Sequence, residues 1–140
     1  MNIYLDIDGV LLANENNLAN YAHEFLAYVT SHYPTYWLTT HCRGDIFYTH
    51  EFLKRTFPDE TLKIAKQILP TNWKINKTEA IDFSQPFIWF DDDLFEEEKN
   101  ELIHHNVLEN WIEVDLRKDA NHLQKFLISF PIPIELIKTK

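Results

Sequence analysis

The chain is expected to fold as an α/β domain, a mainly parallel sheet with helices on both faces. Three observations predict this. Short apolar runs bounded by turn residues alternate with stretches of helical period, the pattern of βαβ units. The runs themselves (NIYLDI, TYWLTT, PFIWF and NWIEVD) are largely apolar, as expected of short strands covered by helices on both sides. A hydrophobic content of 45% in 140 residues suffices for one core, so residues 1–140 are read as a single domain.

Taken in order, residues 2–7 form the first strand. Residues 18–30 carry apolar side chains at Leu18, Tyr21, Ala22, Phe25, Leu26 and Val29, a helical spacing. Pro34 breaks the chain, and 35–40 is the second strand. Residues 45–57 form a helix that Pro58 ends. The segment 61–69 fits either a short strand or a helical turn. Asn76, with Glu79 three residues later, reads as a cap for a short helix over 77–83. A buried strand over 86–90, a helix over 94–106, a strand over 110–115 and a helix over 119–130 follow. Asp93, with Glu96 behind it, reads as the cap of the helix over 94–106. The tail PIPIELIKTK is expected to run over the surface. Together these elements make a three-layer, Rossmann-like arrangement.

Composition narrows the function classes. The longest apolar runs fall far short of the ~20 residues a membrane span needs, and the opening residues lack the marks of a secretory signal. The one cysteine, Cys42, permits no internal disulfide and no cysteine-rich zinc site. A cytoplasmic protein is the expectation. The formal charge is −9, and Asp91, Asp92, Asp93, Glu96, Glu97, Glu98 and Glu101 place seven acids in eleven residues. That balance gives no support to nucleic acid as a partner. Lys54, Arg55, Lys63, Lys66, Lys74 and Lys77 make the middle of the chain locally basic, and read as solvated surface.

In parallel sheets ligands sit beyond the carboxyl ends of the strands, so the residues there are the candidates for chemistry. The first strand delivers Asp6, Asp8 and Gly9. The second delivers Thr39 and Thr40, followed by His41, Cys42 and Arg43. The strand over 86–90 delivers Asp91 and Asp92, and Lys77 opens the helix before it. The chain's two glycines, Gly9 and Gly44, both follow a strand, where backbone freedom and close approach are useful. Unit charges ~4 Å apart repel by about 4 kcal/mol at an effective dielectric near 20. A carboxylate cluster therefore needs protons or a cation, and all-oxygen ligands favour a hard ion such as Mg²⁺. One aspartate of an Asp-x-Asp pair can attack while the other acts as an acid, a route to phosphoryl transfer through an aspartyl-phosphate.

These motifs carry a family resemblance. DIDGV at 6–10 resembles the first motif of the haloacid dehalogenase-like (HAD) hydrolases, D-x-D-G-[VT]. WLTT resembles the second, an apolar strand ending in a hydroxyl. NKTEAID resembles the third, with its lysine opening a helix. FIWFDDD resembles the fourth, an apolar strand ending in paired aspartates. Order and spacing match across residues 6–92. WLTTHCRGD and WFDDDL are further similar to the small HAD domains of bacterial RNA-repair proteins.

The resemblance implies roles. Asp6 is the nucleophile and a metal ligand. Asp8 is general acid and then base, with its backbone carbonyl on the metal. Thr39 binds the phosphoryl group, with Thr40 the competing choice. Lys77 neutralises phosphoryl charge, with Lys74 its rival. Asp92 completes the Mg²⁺ site, and Asp91 is a ligand or supports one. Gly9, Thr40 and Arg43 are expected at the substrate. The 26 residues of 9–34 and the 36 of 41–76 leave no room for an independent cap domain, so an open, capless site is expected. The implied function is a Mg²⁺-dependent phosphatase acting through an aspartyl-phosphate on a phosphate monoester, with nucleic-acid ends and phosphoproteins within its range. The alternatives are a metal-dependent nuclease and a non-catalytic domain that keeps the fold and the metal.

Overall fold

The computed structural model describes residues 1–129. The expected tail and the last residue of the final helix lie outside them. Six strands are described: β1 (Asn2–Leu5), β2 (Leu12–Asn14), β3 (Asn17–Leu18), β4 (Thr35–Trp37), β5 (Phe87–Asp91) and β6 (Trp111–Glu113). The described helices are α1 (Ala22–His32), α2 (Ile46–Thr56), α3 (Asp59–Ala65), α4 (Glu96–His104) and α5 (His122–Ser129). Single 3₁₀ turns occupy Lys77–Ala80 and Leu108–Asn110.

Four strands form one sheet in the order β4-β1-β5-β6, every pairing parallel. Alternation along the strands feeds two cores. Ile3 and Leu5 of β1, with Ile88 and Phe90 of β5, pack with Phe25, Leu26 and Val29 of α1, Leu53 of α2, Ala65 of α3 and Leu123 of α5. Tyr4, Phe87 and Trp89 point to the other side, where Leu102 of α4, Trp73 and Ile81 meet them. Phe25 is fully buried and meets Phe90 edge-on at 5.2 Å. Burial of a side chain of that size stabilises by about 2–3 kcal/mol. The class is thus α/β with helices on both sheet faces. Among the described residues no helix is long and apolar enough to cross a membrane.

Several boundaries differ from expectation. The helix expected from residue 18 starts at Ala22, because 12–18 forms the β2–β3 hairpin, with Leu12 paired to Leu18 and Asn14 to Asn17. The ambiguous 61–69 resolves into helix α3 followed by Leu69, which bridges Tyr36 at the outer edge of β4. Asp93 is not the cap of α4. That helix starts at Glu96 behind Phe95, and the Asp93 side chain instead accepts from Leu94 N at 2.9 Å. The helix expected over 77–83 is only the 3₁₀ turn Lys77–Ala80. At α2 the expectation of a start at Asp45 is met by a true cap, whose Oδ1 accepts from Phe47 N at 3.0 Å and Tyr48 N at 3.4 Å.

Candidate active site

The chain leaves β1 for β4 on one side and later returns to β5 on the other. Strand order therefore reverses beside β1, and a crevice opens at the carboxyl ends of β1 and β5, where ligands of open α/β sheets bind. The register pairs Leu5 with Phe90, and Asp6 N donates to Phe90 O at 3.1 Å. Asp6 and Asp91 are therefore neighbours across the ladder by construction. Oxygens of Asp6, Asp91 and Asp92 lie within 4.8 Å of one another. A cavity of about 210 Å³ opens over them, lined also by Asp8, Thr40, Trp73, Ile75, Lys77, Asp93, Phe95 and Glu98.

Lys77 ties the cluster together. Its Nζ lies 2.7 Å from Asp91 Oδ2 and 3.4 Å from Asp6 Oδ2. Its position is fixed from both sides of the turn. Glu98 of α4 accepts from Lys77 N at 2.9 Å. The Glu79 carboxylate accepts from Lys74 N, Ile75 N and Asn76 N at 3.0, 3.1 and 2.9 Å. Lys74, the rival lysine, is exposed and does not line the cavity.

Asp91 is almost wholly buried and well supplied with donors. Its Oδ2 accepts from Lys77 Nζ and from Trp89 Nε1 at 3.1 Å, and its Oδ1 accepts from Asp92 N at 2.8 Å. Burial, then the charge of Asp6, pushes its carboxyl up to about 9, against the pull of Lys77. Asp92 is raised in the same way, first by burial and also by Asp6. Burial alone would lower the Lys77 ammonium, but Asp6 and Asp91 outweigh it and hold it above its ordinary value. Three carboxylates thus face one ammonium. The crowding that raises Asp91 and Asp92, and the all-oxygen donor set, suit a hard divalent cation, which would take the place of protons.

Gly9 stands beside this cluster with φ +77°. A Cβ there would overlap the Asp92 carboxylate and come within 2.6 Å of its Cγ. The close approach that the glycine allows is therefore that of an acidic side chain. The Asp8 carboxylate is not one of the three-acid group. It lines the cavity, and its Oδ2 lies 2.7 Å from His41 Nε2.

Of the two threonines, Thr40 lines the cavity. Thr39, the first choice from sequence, is fully buried, and its Oγ1 accepts from His41 N at 3.3 Å. The strand ends at Trp37, so the alternation that would have fixed which threonine faces outward has already stopped. Arg43 is not brought to the cavity. It donates to Lys74 O at 3.3 Å and its guanidinium lies 4.2 Å over the Trp73 ring. Cys42 is buried, and its Sγ faces Thr71 O at 3.6 Å, so it and His41 diverge. His41, Trp89 and Glu98 enter as supports that the sequence pattern did not single out for these partners. Trp89, two residues before Asp91 on one strand, shares its sheet face, the one signal that could have found it. Comparison of the chain with protein-family models, curated proteins and solved structures gives no match.

Proposed function

We propose that the chain is a capless HAD-like phosphatase that requires a divalent cation, Mg²⁺ in the first instance, and hydrolyses phosphate monoesters through a phosphorylated Asp6. The observation that carries this reading is the gathering of Asp6, Asp91 and Asp92 with Lys77 at the carboxyl ends of two adjacent parallel strands. Asp6, Asp91 and Asp92 would hold the ion. Bound there, it offsets the carboxylate charge and lets a phosphate dianion approach.

The side chains of this chain then have distinct tasks. Asp6, the acid at the end of β1, attacks phosphorus. Lys77 neutralises charge on the phosphoryl oxygens as it develops, and the Thr40 hydroxyl donates to one of them. Asp8, set apart from the three-acid group, protonates the leaving oxygen and then takes a proton from the water that releases phosphate. The cavity volume of about 210 Å³ admits a phosphoryl group and the adjoining part of its alcohol. The elements between β1 and β5 contribute to the two cores beside the sheet, which supports an uncapped site.

Release of p-nitrophenolate from p-nitrophenyl phosphate, with and without Mg²⁺, tests the reading. Turnover is expected only with the ion. Asp6→Asn should abolish it, and Lys77→Ala should reduce it by about 100-fold or more, the usual loss of an electrostatic stabiliser. Full activity in Asp6→Asn would remove the nucleophile assignment.

A further inference from the structure

His41 lies one residue beyond the wall threonine, and its backbone is held at both ends. Its N donates to Thr39 Oγ1 at 3.3 Å, and its carbonyl accepts from Thr49 Oγ1 of α2 at 2.7 Å. Its ring lies flat on Phe52 of α2, with centroids 3.6 Å apart and planes 12° from parallel. Only Nε2 is turned toward an acid, and that acid is Asp8, at 2.7 Å. The histidine side chain is 22% exposed, the aspartate 60%. A mostly solvated carboxylate thus meets, by one oxygen, a ring stacked on α2. The other oxygen, Oδ1, has no protein partner among the described residues.

We propose that His41 is a positioning residue for Asp8, and that its loss is felt most on esters with a poor leaving group. The inference rests on the phosphatase reading above. With its proton on Nε2, His41 donates to Asp8 Oδ2, which leaves Oδ1 to carry the acidic proton. In the first step Asp6 forms a bond to phosphorus as the phosphorus–alkoxy bond breaks. The departing oxygen takes its electron pair and the Oδ1 proton, and leaves as the alcohol. In the second step Asp8, now a carboxylate, takes a proton from water. The water oxygen bonds phosphorus, the bond to Asp6 breaks and inorganic phosphate departs. An alkoxide is a poor leaving group and needs that proton, whereas a nitrophenolate or a carboxylate leaves unaided. An acid held in one orientation matters only for the first kind of ester.

The discriminating experiment measures single-turnover alcohol release from glycerol phosphate and from p-nitrophenyl phosphate, each with Mg²⁺, using the full chain and its His41→Ala, His41→Gln and Asp6→Asn variants. His41→Ala is expected to slow release from glycerol phosphate by roughly 10- to 100-fold, part of the usual contribution of a general acid, and release from the nitrophenyl ester by less than about 3-fold. His41→Gln keeps a donor and most of the side-chain volume, and should restore alkyl-ester release to within about 5-fold of wild type. Equal losses on both esters in His41→Ala, or no loss on either, would overturn the positioning role, as would failure of the glutamine to rescue. Asp6→Asn separates the two levels. If it is inactive while His41→Ala does not discriminate between esters, only the His41 inference falls. If Asp6→Asn turns over both esters at the wild-type rate, the phosphatase reading falls and takes this inference with it.

Discussion

One methyl group at position 9 measures how tightly the acid cluster is built. An L residue at φ +77° is strained by about 1–2 kcal/mol, and the added carbon must also displace the Asp92 carboxylate. Gly9→Ala is therefore expected to destabilise the fold by about 2 kcal/mol, or roughly 6 °C in Tm, and to remove most Mg²⁺-dependent turnover. A melting curve unchanged from wild type would show that Asp92 sits elsewhere. At this scale the acids at strand ends could be read directly, because parallel strands end at ligand sites and Asp6, Asp91 and Asp92 each follow an apolar run. The wall threonine could not be read. Thr39 and Thr40 have the same chemistry and lie past the last paired residue, where strand alternation no longer decides which one lines the cavity. The Asp8–His41 contact spans 33 positions and leaves no local trace.

Among the elements, the turn that presents Lys77 is held by the exposed Glu79 carboxylate on one side and by the buried Glu98 on the other. Three backbone amides of 74–76 donate to Glu79, and these bonds, that of Asn76 first, hold its acid below the ordinary 4.5. A carboxylate with a depressed folded value stabilises above its unfolded pKa, and that contribution fades as pH falls through the folded value. Wild type should therefore melt higher than Glu79→Gln at pH 7, and the two should draw together as pH falls below the ordinary glutamate range. Parallel melting curves from pH 7 to 3 would contradict the tether. The pairing of Asn76 with Glu79 was visible in the sequence as a cap signature. The hairpin of β2 and β3 was not, because Leu18 fits the apolar period of the helix behind it and strands of three and two residues carry too little alternation to compete. The Asp93 cap failed for a similar reason. Glu98, and not Glu96, reaches back to the backbone, accepting from Phe95 N at 3.1 Å, which moves the helix start two residues on.

For the molecule as a whole, the cost of bringing three acids together is a property of the folded state alone. A cation that binds only the fold stabilises it by about 2.7 kcal/mol at 100 times its Kd, so Mg²⁺ should raise Tm by several degrees. Asp91→Asn should lose that rise while melting close to wild type without the ion, because burial and Asp6 already keep the Asp91 carboxyl largely protonated there. A substantially lower apo Tm for the variant would mean that the Lys77–Asp91 bond outweighs the repulsion. The alternation of strands and helices gave away the α/β class and the convergence of segments, since chain order and parallel pairing leave few topologies. The order β4-β1-β5-β6 has a last consequence. Asp6 and Asp91 are carried by the two inner strands, whose ladders are flanked on both sides, so their amides should be among the slowest in the protein to exchange with solvent. The acids at these strand ends cannot come apart locally while the scaffold persists: fraying of outlying helices leaves them in register, and they are lost only with the sheet itself.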